Sequence, residues 1–401
     1  VPQPQPPRPI SVHTMPTRSE NYEFVRHLGH GGMASVELWR QRLTGLAEQR
    51  ARSEWGVEVV HPELAVAKRI YVGDMDATDK ADARREVAVL KKLSHPHIVR
   101  YFGSWMDSQS EELIIVQEYC EGGDLGKYIG RRQKRQEPIA AALVLRWLAQ
   151  VTHALQYCHK RVRLLHRDLK PRNIFLSHED TQTHLGDFGI AKQIARTQSL
   201  CQTYIGTQVY MSPEIIRMQK YGLKCDVWSL GVTLYELCAL RRPFESRDPL
   251  AVMQAIASPD GPPHFPEGHP YPPELEELCM AMLEKSPEVR PSLTQLLCSS
   301  AALREAVLQV EQDVGWKDSL VPPLTCAPEV REEPENFDTP HEEFAAADEP
   351  SLDLPSAVPE GLPPEAEELV RASHGQAEGA RSAAGRTEVA SGARSRAVAG
   401  L

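Results

Sequence analysis

No apolar run in the 401-residue chain approaches the ~20 residues that a membrane-spanning helix needs, so no membrane association is expected. The opening stretch, "VPQPQPPRPISVH", lacks the apolar segment of a secretory signal, and Val1 in place of Met leaves the start of the chain open. The eight cysteines (Cys120, Cys158, Cys201, Cys225, Cys238, Cys279, Cys298 and Cys326) include no pair at the spacing of a zinc knuckle or a redox motif. Scattered thiols in a chain of this size point to reduced cysteines and a cytoplasmic or nuclear setting. None of the 15 histidines has metal-ligand spacing, so His153, His159 and the rest read as structural or solvated. A basic excess is absent too: 45 Lys and Arg stand against 55 Asp and Glu, a net charge of −10. That balance speaks against a dedicated nucleic-acid binder, while leaving room for a local basic patch. No internal repeat and no sustained heptad pattern is present.

The chain does have an apolar share of 41%, enough for a soluble core, and the length of one large domain or two ordinary ones. Residues 1–20 are proline-rich and aperiodic, an extended solvated arm. Patterned sequence runs from Asn21 to about Val310. Beyond it Pro, Glu, Ala, Ser and Gly dominate, with Trp316, Phe337 and Phe344 as the aromatics. Such a tail buries too little apolar area to offset its ordering entropy, so 301–401 is expected to be mostly disordered, with one short helix in "PPEAEELVRA".

Within the patterned part, 22–39, 64–71, 99–105 and 112–119 read as strands, rich in β-branched and aromatic residues between turns. A helix from about Thr78 to Leu93 interrupts them, with Val87, Leu90 and Leu93 on one face and "HPH" at its end. After Asp124 the pattern is helical. Leu148, Val151, Leu155 and Cys158 mark one buried face, and "DVWSLGVTLYELCAL" is apolar nearly all round, as a central helix should be. The expected fold is α+β and bilobal: a small β-rich lobe over 21–123, a larger helical lobe over 124–300, and a ligand cleft between them.

Four motifs follow in order along this frame. "LGHGGMASV" (28–36) puts glycines between two strands, where backbone N–H groups could approach phosphate oxygens; a tight hairpin would look the same. "AVAKRI" (65–70) sets Lys68 in an apolar strand, either snorkelling to water or awaiting phosphate and a carboxylate. Glu86, on the following helix, is a candidate for that carboxylate. "HRDLKPRNIFL" (166–176) then gathers an acid, a cation and an amide within six residues, and "LGDFG" (185–189) adds a second acid on a tight turn. Asp168, Lys170 and Asn173 can converge on one loop, anchored by "IFL", with Asp187 beside them. That order and spacing match a known phosphoryl-transfer layout.

With these motifs in this order, residues 22–300 resemble the eukaryotic protein kinase family. The resemblance implies ATP and Mg²⁺. It places Gly29, Gly31 and Ala34 at the three glycine positions of a phosphate-covering loop that also includes Leu28, His30, Gly32, Met33 and Ser35, with Val36 over the adenine. Lys68 would hold the α- and β-phosphates and pair with Glu86. Asp168 would orient the acceptor hydroxyl and take its proton, and Lys170 would steady the γ-phosphate. Asn173 and Asp187 would hold metal. In "IVQEYCEGGDL", Gln117 would lie beside the adenine pocket, the backbone of Glu118 and Cys120 would meet the base edge, and Asp124 would reach the ribose. Val66 and Phe175 belong with the ATP contacts. Glu214 would pair with Arg290, and Asp226 would hydrogen-bond the backbone of the catalytic loop.

Lys170–Pro171 and Thr207 resemble serine/threonine kinases. "NIFLS", "LGDFGIAK", "YMSPE", "EYCEGGDL" and "LYELCALRRPFES" are similar to the NIMA-related group, which is tied to cell-cycle, centrosome and cilium functions. Implied partners are protein substrates with Ser or Thr acceptors, and an upstream activating kinase or autophosphorylation in trans. Nucleic acid and membrane are not among them. Arg167 is the expected receiver of a phosphate on Thr203, with Ser199 a second acceptor. Cys201 in the same segment reads as a bystander thiol.

Three departures stand out. Ala34 replaces a glycine, which should change nucleotide affinity rather than abolish activity. Val66 narrows the adenine slot where alanine is usual. "LAEQRARSEWGVEVVHPE" (46–63) lengthens the connection between the second and third strands. It reads as a solvated hairpin extension, a partner-binding insert or a gene-model error. Ala34 and Val66 also keep a second functional class in view, a pseudokinase scaffold that binds nucleotide and partners without efficient transfer.

Overall fold

In the computed structural model the described residues are 21–31, 34–42, 64–75, 80, 83, 87–107, 109–177, 179–188 and 208–323. The N-terminal arm, the 46–63 extension, Glu86, the segment 189–207 and everything from 324 onward, "PPEAEELVRA" included, lie outside them.

Five antiparallel strands form the first lobe: β1 (Tyr22–Gly31), β2 (Ala34–Gln41), β3 (Leu64–Tyr71), β4 (Tyr101–Asp107) and β5 (Glu112–Glu118), in the spatial order β1-β2-β3-β5-β4. Period-two alternation lets β5 bury both faces. Ile114 and Val116 pack with Ala65, Ala67, Trp39 and Tyr22 on one side. Leu113 and Ile115 pack with Ile70, Val72, Ala83, Val87 and Leu90 on the other. The second cluster holds the helix expected over 78–93. Lys80, Ala83 and Val87–Leu90 are helical, and the helix ends at Leu90 rather than Leu93, whose N–H turns back onto the Leu90 carbonyl. β1 carries two register shifts, at Phe24/Arg26 and His27/Gly29, which bend it where the glycines begin.

The second lobe is helical. A two-residue strand, β6 (Gly123–Asp124), leads into α1 (Leu125–Arg135), whose N-terminus Asp124 caps by accepting the Lys127 N–H at 2.9 Å. After α2 (Ala141–Tyr157) comes the hairpin β7 (Ile174–Leu176) and β8 (Thr183–Leu185), then α3 (Pro213–Ile216), α4 (Lys224–Ala239), α5 (Pro249–Ala257), α6 (Pro273–Met282), α7 (Leu293–Ser299) and α8 (Ala301–Asp313). Twelve of the sixteen residues of α4 are buried, as its all-round apolar sequence requires.

The domain does not stop at residue 300. α8 lays Leu303, Val307 and Val310 into the same core as α2, and the chain continues in place to residue 323. The tail expected to be mostly disordered from 301 is ordered over this first segment. Its apolar stripe is too thin for a core of its own, but packing on an existing helix supplies the missing partner surface.

Where the two lobes meet, five histidines are buried or partly buried: His95, His97, His153, His166 and His184. Burial holds His97 down to about 4, and pushes His95, His153, His166 and His184 below the ordinary value as well. Such rings gain their proton in the unfolded chain first. Their stabilising contribution is therefore complete above the unfolded pKa and is lost as pH falls toward the folded value. For His97 the window runs from 6.5 to about 4, worth roughly 3 kcal/mol. The thermal midpoint of the full chain should hold steady above about pH 7 and fall progressively between about pH 6.5 and 4.5. A midpoint independent of pH across that range would mean that these rings are not held neutral.

Candidate active site

The cleft is a cavity of about 1020 Å³ lined from both lobes. From the sheet come Leu28, Gly29, His30, Val36, Val66 and Lys68; from the end of β5 and the stretch leading into α1 come Gln117, Glu118, Cys120 and Asp124; from β7 and the loops below come Lys170, Asn173, Phe175 and Asp187. Strand register explains the upper wall, since Val36 pairs with Lys68 across β2–β3 and Val66 with Gln117 across β3–β5. Ala34 and Ser35, at the start of β2, do not line this space. Gly31 ends β1, while Gly32 and Met33 fall outside the described residues.

The floor is one hydrogen-bonded unit. Asp168 is buried, and its Oδ2 accepts from Lys170 Nζ at 2.9 Å and from Asn173 Nδ2 at 2.9 Å. Asn173 Nδ2 also donates to the Asp168 carbonyl at 2.7 Å. With both its N–H bonds turned toward Asp168, the amide leaves its oxygen for another partner. Arg167 sits in the left-handed region at φ 63°, an uncommon conformation for a non-glycine residue. Asp226, reaching up from α4, holds it there: Oδ2 accepts the His166 N–H at 2.9 Å and Oδ1 the Arg167 N–H at 3.0 Å. His159 Nε2 gives the carboxylate its third bond, the second to Oδ2, at 2.8 Å. Burial alone would raise the Asp226 carboxyl, but these bonds and the neighbouring imidazoles outweigh it and leave the group below its ordinary value. His166 Nε2 donates to the Gly186 carbonyl at 2.9 Å, and its burial favours the neutral ring.

Asp187, also left-handed at φ 56°, follows β8 and faces Asn173 through the Gly186 N–H, which donates to the Asn173 carbonyl at 2.9 Å. Its Oδ1 accepts from Lys68 Nζ across the cavity. The sequence pairs Lys68 with Glu86, which lies outside the described residues; the partner seen is Asp187. An amide oxygen at 173 and a carboxylate at 187 are hard oxygen donors on one wall, a set suited to a divalent cation such as Mg²⁺. Among the described residues no group of three or more His, Cys, Asp or Glu is arranged to hold a metal unaided. A cation here would have to be shared with a phosphate-bearing ligand, as Mg²⁺ usually is.

Burial and nearby Glu118 push the Cys120 thiol up to about 12, so it stays protonated. Further down, Glu214 and Arg290 form a fully buried bidentate pair at 2.8 and 2.9 Å. Thr203 and Ser199 lie outside the described residues. The sequence reading missed Tyr210, Glu236, Arg241 and Arg242, which extend the cavity past Lys170. It also missed the bond from His159 to Asp226. No local pattern marks either, because the residues are brought together by α4.

A five-stranded sheet over a helical lobe, with a lysine facing an aspartate across the cleft and an Asp-Lys-Asn loop beneath, is a fold of the protein kinase class. Residues 55–300 match the protein kinase domain, and the chain belongs to that family. It is similar to the serine/threonine-protein kinases Nek2 of Homo sapiens (35% identity over 293 residues, 71% of this chain and 60% of the relative) and Nek5 of Homo sapiens (39% over 279 residues, 69% and 36%). Nek11 of Homo sapiens is 32% identical over 288 residues, 72% of this chain and 41% of the relative. The relatives are NIMA-related kinases, and the chain spans about 60% or less of the length of these three.

Proposed function

We propose that this chain is a serine/threonine protein kinase that transfers the γ-phosphoryl group of Mg²⁺-ATP to protein hydroxyls. The observation that carries the reading is the Asp168–Lys170–Asn173 unit, with Asn173 and Lys170 lining the same cavity as Asp187 and Lys68. In this reading Asp168 orients the acceptor hydroxyl and takes its proton, Lys170 neutralises charge on the transferring group, and Lys68 binds the inner phosphates. Asn173 and Asp187 hold the metal, which supplies positive charge against the phosphate oxygens. Such a reaction needs alignment and electrostatic support more than covalent help, and a rigid loop provides both.

The test is turnover of Mg²⁺-ATP on a generic protein substrate, with phosphoserine or phosphothreonine as product. Activity no greater than that of an Asp168→Asn control would favour the scaffold reading. Ile190, after the "DFG" turn, leans the acceptor preference toward threonine; a peptide array several-fold richer in serine hits would overturn it.

Activation is proposed to run through phosphate on Thr203, and secondarily Ser199, received by Arg167. A group of about −1.5 to −2 charge forms charge-assisted hydrogen bonds with a guanidinium. Thr203→Ala should therefore lower the fully activated rate by at least about tenfold, measured after incubation with Mg²⁺-ATP; an unchanged rate would discard the assignment. The source of that phosphate is an upstream kinase or a second copy acting in trans. A cytoplasmic or nuclear location, with a cell-cycle, centrosomal or ciliary role, belongs to the same proposal on the strength of the NIMA-related likeness.

A further inference from the structure

Residues 301–323 lie beyond the matched kinase domain, yet they close against the junction that carries the metal-side turn. We propose that this segment is a latch on the active site, with Glu311 and Trp316 as positioning residues that act on Asp187 through the stretch His95–Val99. The inference rests on the kinase reading above.

Two hydrogen bonds of fixed direction and one close electrostatic contact link the two ends. The His97 N–H donates to His95 Nδ1 at 3.0 Å, which puts the His95 proton on Nε2. That atom faces His153 Nδ1 at 3.1 Å, which in turn puts the His153 proton on Nε2. His153 Nε2 lies 3.5 Å from Glu311 Oε1, near enough for electrostatic attraction without forming a hydrogen bond. The first donor is a backbone N–H, which cannot reverse, so the order of both bonds is fixed. Burial keeps both rings neutral. Glu311 is itself buried, and folds the chain after α8 back on itself by accepting the Leu320 N–H at 2.8 Å and the Ser319 hydroxyl at 2.6 Å. That turn lays Trp316 over His95 and His153, with ring centroids 5.0 and 5.1 Å apart.

At the other end the same stretch grips β8. The His97 carbonyl accepts the Leu185 N–H at 2.8 Å, and the Val99 N–H donates to the Leu185 carbonyl at 2.9 Å. Leu185 is two residues from Asp187. Between them Gly186 is held so closely that a Cβ there would meet Val99 and Phe175 side-chain carbons at 2.9 Å. Gly186 also donates to the Asn173 carbonyl. A shift of His95–Val99 is therefore passed to both residues assigned to metal, with no slack to absorb it.

The experiment uses the full chain and four variants: Trp316→Ala, Trp316→Phe, Glu311→Gln and, as a packing control on the same helix, Val307→Ala. Binding of a non-hydrolysable ATP analogue is titrated against Mg²⁺, alongside thermal unfolding and hydrogen exchange of the Leu185 amide in the nucleotide-free protein. Trp316→Ala and Glu311→Gln should raise the Mg²⁺ needed for half-maximal nucleotide binding about fivefold and speed Leu185 exchange. Trp316→Phe keeps an aromatic face on both rings and should stay near wild type. Val307→Ala should lower the melting temperature without moving the Mg²⁺ half-point. If all variants only lose stability, or if Val307→Ala shifts the half-point as far as the others, the latch is overturned. Should Trp316→Ala fail to fold, Glu311→Gln decides the matter, and should the analogue not bind, Leu185 exchange does. A wild type that binds the analogue but transfers no phosphate sinks the kinase reading and leaves the latch test standing.

Discussion

Asp168→Asn is expected to lower kcat on a protein substrate by about a thousandfold while leaving the fold and nucleotide binding nearly intact. The physical reason lies in the surroundings of the carboxylate. Asparagine matches aspartate in shape, and its oxygen can still accept from Lys170 and Asn173, the two donors that now converge on Oδ2. What the amide cannot do is take a proton from an incoming hydroxyl. Asp168 also does not line the cavity, so its loss should spare the analogue's binding constant. The expected signature is a fall in kcat with KM for ATP within about threefold of wild type. Asp187→Asn should behave oppositely in one respect. That side chain faces the cavity and Lys68, so the Mg²⁺ requirement should rise together with the loss of rate. Retention of a tenth or more of wild-type kcat by Asp168→Asn would remove the carboxylate from the chemistry and with it the assigned mechanism.

Local chemistry made much of this site legible in advance. Lys68 interrupts an apolar strand, and Asp168, Lys170 and Asn173 are neighbours in sequence before they are neighbours in space. The β-branched and aromatic content of 112–119 and the all-round apolar stretch of α4 likewise announced a strand and a central helix. Residues whose meaning depends on a remote partner were not legible. His95 and His97 read as punctuation after a helix, because "HPH" says nothing of His153 on α2 or Glu311 on α8. Trp316 read as one stray aromatic in a polar tail, for its surface is supplied by residues more than 150 positions earlier in the chain. Leu303, Val307 and Val310 lie at helical spacing, but such a stripe says only that a helix would have a face, not that a waiting surface exists to cover it. Glu214 and Arg290 were paired through the family's pattern rather than through any local signal, and the structure brings them into bidentate contact.

That contact carries the largest expected effect on stability. Arg290→Met should destabilise the chain by about 3–5 kcal/mol in urea unfolding, because Glu214 would be left charged in the interior. The guanidinium also donates to the carbonyls of Glu284 at 2.8 Å and Lys224 at 2.9 Å, and it lies 5.1 Å from the Trp228 ring. Its loss therefore removes bonds to backbone carbonyls as well as the partner of a carboxylate. Glu214→Gln should cost less, since the amide oxygen can keep one of the two bonds and no bare anion remains. The double variant Glu214→Leu, Arg290→Met separates the terms. If the penalty is mainly an unpaired charge, removing both partners should recover a good part of the single-variant loss. The guanidinium's bonds to backbone carbonyls would still be missing, so recovery should stop short of wild type by about 1–3 kcal/mol. A double variant no more stable than Arg290→Met alone would mean that the arginine stabilises the fold through those carbonyls and Trp228, with the ion pair serving to fix how Pro213–Ile216 docks on the chain ahead of α7 rather than to hold the lobe together.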